Sequence, residues 1–186
     1  MSFVRMLLRR IVEKLDPPRV IYGRAGGSPY LSRYYVFGAP VAHDGKPVFG
    51  YDGNPREGVT WDDRKGPVAV YLHRFHRGDD DDDLHSHPWS WSIAIILAGG
   101  YSEERRVRGC SCVERRTIKP WRINFIRGDD FHRVDLLEED AWSLFIAGPR
   151  VSSWSFWDRH TGETVPWRTF IARKRGLDEK EVGKFS

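Results

Sequence analysis

After Pro18 the chain breaks into short apolar segments separated by glycine, proline and aspartate turns. Candidate segments lie at 33–38, 68–76, 91–98, 101–107, 113–119, 122–126, 132–136, 142–147, 153–158 and 164–168, with glycines recurring between them at 99–100, 109, 128, 148 and 162. Short runs bounded in this way read as strands, and their regular return predicts an all-β sandwich or barrel. Too few stretches carry a helical period for an alternating βαβ fold. The N-terminus is the exception: Val4, Leu7, Leu8, Ile11 and Leu15 follow helical spacing, which predicts an amphipathic helix ending before Pro17-Pro18. Residues 39–66 are rich in Gly, Pro and Asp and read as a long surface loop. The end of the chain is charged and reads as a solvated tail. The predicted organisation is a helix within 1–18, one β domain over 19–170 and a tail over 171–186.

The segment 91–98 constrains the packing. Ser92, Ala94, Ile96 and Ala98 share one face of a strand, and Ile93, Ile95 and Leu97 share the other. Both faces are largely apolar, so both should be covered. One face belongs to the core. The other needs the N-terminal helix or a second subunit, which leaves room for a homodimer.

Composition narrows the class. With 186 residues, 40% apolar and 13% aromatic, the chain suits one globular domain with its own core. The net charge of +4 is spread among 30 basic and 26 acidic residues, so nothing marks a nucleic-acid surface. No apolar run reaches membrane-spanning length, and Arg5, Arg9 and Arg10 interrupt the N-terminal stretch, unlike a secretory signal. Cys110 and Cys112 are separated by one residue, and a disulfide at that spacing within a strand would be strained. The pair reads as two small residues on one face of a strand, in a reducing, cytoplasmic setting.

Seven histidines are distributed unevenly. His43 and His160 lie in turn contexts. His73 and His76, three apart on a strand, face opposite ways. His85 and His87 differ: in an extended segment i and i+2 project to one side, and two imidazoles so placed can grip one ion. They follow five aspartates, Asp79 to Asp83, which are contiguous and lack the spacing of a calcium loop. These aspartates read as a solvated turn that makes the adjoining mouth acidic. His132 arrives later, after a Gly-Asp turn in GDDFHRV, and could complete a three-histidine site.

The spacing also resembles a known family. His85-x-His87, four residues, Ser92, six residues and Gly99 look like the first cupin motif, and GDDFHRV is similar to the second, whose histidine is a ligand. The resemblance covers residues 68–148 and extends to small uncharacterised bacterial and phage cupins carrying HPW, GGYxE, HRV and GPR segments. It implies a cupin double-stranded β-helix (jelly-roll) barrel, here with an N-terminal amphipathic helix. Many cupins place a glutamate ligand where this chain has Ser92. Three-histidine members include the thiol dioxygenases, such as cysteine dioxygenase, which also lack that glutamate. The substrate-binding arginine of that family has no matching position; Arg74, Arg122 and Arg133 are candidates.

The resemblance implies a divalent metal on His85, His87 and His132, with Fe(II) favoured and Zn, Ni or Mn as alternatives. With Fe(II) the expected activity is a dioxygenase acting on a small thiol- or carboxylate-bearing molecule. With Zn(II) the same ligands would support a hydrolase or isomerase. A non-catalytic cupin binding a sugar or effector is the other reading. Candidate catalytic residues are His73, Tyr101 and Glu103. Tyr71, Trp89, Trp91 and Ser92 are expected to contact substrate. Tyr71 and His73 share one face of their strand, and only one of Glu103 and Glu104 can look inward.

Overall fold

The computed structural model describes residues 2–15, 18–22, 28–38, 68–79 and 82–176. Twelve strands and two short helices are described, in the order α1 (Phe3–Val12), β1 (Arg19–Tyr22), β2 (Pro29–Phe37), β3 (Ala69–Phe75), β4 (Leu84–His85), β5 (Trp91–Ala98), β6 (Tyr101–Arg106), β7 (Val113–Ile118), β8 (Ile123–Arg127), β9 (His132–Leu136), β10 (Ala141–Ala147), β11 (Ser155–Trp157), β12 (Thr164–Pro166) and α2 (Trp167–Arg175). They form two six-stranded antiparallel sheets. The first runs β1-β2-β3-β10-β5-β8 and the second β12-β11-β4-β9-β6-β7.

The strand pattern read from the sequence is largely what forms. In β5 burial alternates strictly, with Ser92, Ala94, Ile96 and Ala98 buried. In β8, Asn124 and Ile126 turn in while Ile123, Phe125 and Arg127 turn out. The two sheets close on a core of Tyr71, Ala94, Ile96, Tyr101, Val134 and Phe145. The predicted loop over 39–66 lies outside the described residues, as do Asp80, Asp81 and residues 177–186.

Helix α1 supplies part of the expected outer cover. Leu8 packs with Leu72, Ala98 and Trp142, flanked by Val4, Val12 and Leu97. The buried stripe is rotated from the predicted one: Arg5 is buried while Leu7 and Ile11 stay exposed. The reason is a charge anchor. Arg5 Nε donates to Asp140 Oδ1 at 2.7 Å and Nη2 donates to the Asp140 carbonyl at 3.0 Å. Ile123 and Phe125, beyond the reach of α1, remain exposed.

Three expectations need correction. The strand expected at 164–168 is only Thr164–Pro166, and the segment continues as helix α2 with Pro166 at its N-cap. Phe170, Ile171 and Ala172 are buried against Phe156 and Val165, so the charged tail begins as a docked helix. Spacing of i, i+3 and i+4 from Trp167 would have shown it. Second, Cys110 and Cys112 lie in the β6–β7 turn and form a disulfide, their Cα atoms 5.2 Å apart. A turn brings i and i+2 into the disulfide range of about 4.4–6.8 Å. The cysteine argument for a reducing compartment therefore falls away. Third, the aspartate run is not uniformly solvated. Asp82 is exposed, but the Asp79 and Asp83 side chains are largely buried. Asp83 pairs with Lys174 of α2 at 2.8 Å. No helix among the described residues is long and apolar enough to cross a membrane.

Candidate metal centre

His85 and His132 are direct cross-strand partners on β4 and β9. Opposed residues in an antiparallel pair hold their Cβ atoms about 4.5–5.5 Å apart. His87 follows β4 in extended chain and returns to the same side. The result is a cluster of three buried imidazoles, each offering a nitrogen, all within 4.8 Å of one another. Ring centroids are 4.8 Å apart for His85 and His132, 5.0 Å for His87 and His132, and 5.3 Å for His85 and His87.

The ring tautomer of His132 follows from its neighbour. Glu103 Oε1 lies 2.7 Å from His132 Nδ1, and an ionised carboxylate only accepts, so Nδ1 carries the proton. Nε2, on the opposite side of the ring, faces Nε2 of His87 at 2.8 Å. Two nitrogens at right angles around an ion, each about 2.0 Å from it, stand about 2.8 Å apart. His87 Nδ1 is buried with no hydrogen-bond partner among the described residues, so this ring makes its polar contact through Nε2. His85 Nδ1 lies 3.7 Å from Asp79 Oδ1, while Asp79 Oδ2 accepts from the Val134 amide at 2.7 Å. A histidine backed by a carboxylate is the usual arrangement behind a metal-bound imidazole. The donor set therefore fits a divalent cation.

Glu103 is wholly buried and stands behind His132, in the position of an orienting group. It also accepts from Arg105 Nη2 and Asn124 Nδ2, both at 2.9 Å. Burial pushes its carboxyl up, but the hydrogen bonds from His132 and Arg105 outweigh this and hold it well below the usual range. Glu104, one residue on, faces away into Arg115, Arg133 and Arg159. Its carboxyl is held down to about 2: burial opposes, and the hydrogen bonds from Arg115 and Arg159 prevail.

The other expected residues divide by strand face. Tyr71, His73, Trp89, Ser92 and Tyr101 are all buried on the inner side. Trp89 stacks on His87 with centroids 5.6 Å apart. Tyr101 hydroxyl accepts from Asn124 at 3.1 Å, and burial raises it well above the usual phenol range. Burial likewise drives His73 and His87 well below the usual imidazole range, so both are neutral. Trp91 is not part of the group. Strict alternation puts it on the face opposite Ser92, where its ring packs on Gly148. A cleft of about 520 Å³ opens between Asp82, Asp83, His160, Phe170 and Lys174, but none of the three imidazoles lines it.

None of the three arginines suggested by the sequence serves the interior. Arg74 pairs with Asp140 at 3.1 Å, Arg133 with Asp135 at 2.8 Å, and Arg122 is exposed. The buried arginine on the inner face is Arg33. It lies in a strand the sequence predicts, but no local pattern sets it apart from an ordinary strand arginine; its place beside His73 comes from strand register.

No family model matches the chain, and no curated protein matches it. Among solved structures it is similar to KdgF from Halomonas sp., at 18% identity over 67% of this chain and 84% of that one, with a TM-score of 0.42. It is similar to the DMSP lyase DddQ from Ruegeria pomeroyi DSS-3, at 17% identity over 67% of this chain and 50% of that one, with a TM-score of 0.41. The hydroxypropylphosphonic acid epoxidase from S. wedmorenis gives 8% identity over 63% of this chain and 50% of that one, with a TM-score of 0.40.

Proposed function

We propose that this chain is a metal-dependent cupin enzyme whose centre is His85, His87 and His132, and that it is a dioxygenase for a small thiol- or carboxylate-bearing molecule. The observation that carries the reading is the cluster itself: three buried imidazoles converging within 4.8 Å, one of them fixed by a buried carboxylate. The cupin-like spacing of His85, His87, Ser92 and Gly99 supports the same reading.

Fe(II) on three neutral imidazoles would supply electrons to dioxygen and leave adjacent positions for an anionic substrate. The residues of the chain define the rest. Glu103 holds a proton on His132 Nδ1 and turns Nε2 towards the centre. Ser92, buried at 1% exposure, contributes no charge, so the three-histidine set keeps the full positive charge of the ion. Trp89, Phe145 and Tyr71 wall the interior with buried aromatic faces.

The test is metal analysis of protein purified without a histidine tag and reconstituted anaerobically with Fe(II). About one metal per chain is expected, lost in a His85→Ala/His132→Ala variant. Oxygen uptake with a panel of thiols and carboxylates then tests the dioxygenase. Absence of bound metal after reconstitution would sink the reading.

A further inference from the structure

The turn between β6 and β7 carries both cysteines of the chain, and neither the histidine cluster nor the core uses them. Cys110 and Cys112 are joined by a disulfide that encloses only Ser111. Such a bridge holds little together. A crosslink restricts the unfolded chain less as the loop it closes becomes shorter, and here a single residue intervenes. The hairpin is also closed without it. The Val107 amide donates to the Cys112 carbonyl at 3.0 Å, and the Cys110 amide donates to the Val107 carbonyl at 3.2 Å. The strand ladder starts at the next pair, Arg106 opposite Val113.

The surroundings suit a reactive pair. Cys110, Ser111 and Cys112 are all exposed. A Cβ placed on the adjoining Gly109 would meet nothing within 4 Å, so the approach to the turn is open. Buried structural cysteines are inert, whereas exposed disulfides are the ones that exchange. The two sulfurs also differ. The Cys112 amide donates to Cys110 Sγ at 3.0 Å, and among the described residues Cys112 Sγ accepts no such bond. A donor aimed at a sulfur favours its ionised form. Arg106 Nε donates to the Cys110 carbonyl at 3.2 Å, which brings a cation to the same residue. The Arg106 guanidinium is steadied over the Trp157 ring at 4.9 Å. Arg108, in the same turn, is engaged by Asp129 and Asp130 and adds little. A cysteine beside a guanidinium forms thiolate more readily, and thiolate is the reacting species.

We propose that Cys110 and Cys112 form a dithiol–disulfide couple that exchanges with small-molecule thiols and their disulfides, with Cys110 as the attacking thiol and Cys112 as the resolving one. In the reduced chain the Cys110 thiolate attacks one sulfur of a small disulfide. A bond forms to Cys110, the small S–S bond breaks, and one small thiolate leaves. Cys112 gives its proton to that thiolate and attacks Cys110 Sγ. The second small thiolate leaves and takes from water the proton that Cys110 had released. The protein dithiol is oxidised by two electrons, and one small disulfide is reduced to two thiols. Excess small thiol runs the same steps backwards and restores the dithiol. The couple stands on the turn alone and does not depend on the reading of the histidine centre.

The test uses the full chain, reduced with dithiothreitol and then freed of it. Oxidised glutathione is the probe, and mass spectrometry after alkylation of the remaining thiols reads the products. Wild type is expected to lose both free thiols without keeping glutathione, and to regain them in excess reduced glutathione. Cys112→Ser has no resolving thiol and should hold one glutathione on Cys110. Cys110→Ser should take up glutathione on Cys112 about 10-fold more slowly, because that thiol lacks the amide donor and the guanidinium. Urea unfolding midpoints of oxidised and reduced wild type should nearly coincide, as fits a bridge that staples nothing. Thiols that oxidised glutathione leaves untouched, a mixed disulfide that persists in wild type, or a disulfide that excess reduced glutathione does not open would each overturn the couple. Equal rates in the two single variants would overturn Cys110 as the attacking thiol. A large fall of the midpoint on reduction would make the bridge a structural staple and overturn the proposal.

Discussion

Glu103 Oε1 lies 2.7 Å from Nδ1 of His132, on the side of the ring away from His87. The two residues are diagonal neighbours on β6 and β9, where Glu103 is opposite Val134 and Arg105 is opposite His132. The same carboxylate is braced by Arg105 and Asn124. A sequence reader looking for a fourth ligand would choose Glu103, because it is the inward-facing acid nearest the motif. Its bonds instead make it the group that sets the tautomer and aim of a ligand.

Glu103→Gln is therefore expected to weaken metal binding by about 10–100-fold without abolishing it, the range for loss of an orienting carboxylate. Competition against a chelator of known affinity measures this. Removing a first-rank ligand, as in His132→Ala, should abolish stoichiometric binding. Equal losses in the two variants would place Glu103 on the metal itself.

Asp140 holds α1 to the domain. Its carboxylate accepts from Arg5 Nε at 2.7 Å, Arg74 Nε at 3.1 Å and Trp142 Nε1 at 3.2 Å, with only 4% side-chain exposure. Burial raises its carboxyl, and the bonds from Arg5 and Trp142 more than reverse that. Asp140→Ala would leave Arg5 buried with only the half-exposed Glu138 as counter-charge, a loss of up to about 3–5 kcal/mol by analogy with broken buried pairs. Urea unfolding gives the number, and limited proteolysis within residues 2–15 reports whether the helix has come away.

Much of this was readable in the chain because strands in a two-layer sheet obey one rule, alternation. Ser92 inward follows from it, as does the split between Glu103 and Glu104; the same rule turns Trp91 outward, against the expectation that it would contact substrate. What failed were features set by distant partners. β4 has two residues and exists because His85 pairs with both His132 and Phe156, from strands far along the chain. Arg5 sits in an apolar stripe because Asp140 is there to receive it. Arg33 reads as an ordinary strand arginine until register sets it beside His73. Asp79 and Asp83 are buried by contacts with β9 and α2 that no local pattern announces.

Gly128 shows how a motif glycine serves the site. A Cβ there would lie 2.2 Å from the Trp89 carbonyl oxygen, and its amide donates to Ser90 at 3.0 Å. The close approach clamps the turn before β9 onto the segment carrying Trp89, which stacks on His87. Gly128→Ala must push the two segments apart, and the expected cost is about 1–3 kcal/mol, as for other overpacked sites. A lowered Tm together with altered tryptophan fluorescence is the expected signature. A lowered Tm with unchanged fluorescence would detach the glycine from Trp89.

His73 and His87 give the chain a defined response to acid. Both are buried and neutral, and their protonation is pushed well below the ordinary imidazole value, first by burial and then by nearby positive groups such as Arg33. In the unfolded chain each would take up a proton near pH 6.5. The unfolded state therefore binds more protons below that value, and stability is full above it and lost as pH falls. Each group contributes up to about 1.4 kcal/mol per pH unit in that window. Carboxylates such as Glu103 and Asp140, whose protonation is also depressed, add a second loss below about pH 4.5. Urea unfolding of metal-free protein at pH 7.5, 6.5 and 5.5 should thus show stability falling mainly in the lower interval. The fall should be shallower in His87→Asn, which removes one of the two groups. A flat profile between pH 6.5 and 5.5 would mean that the two imidazoles are not held neutral by the fold.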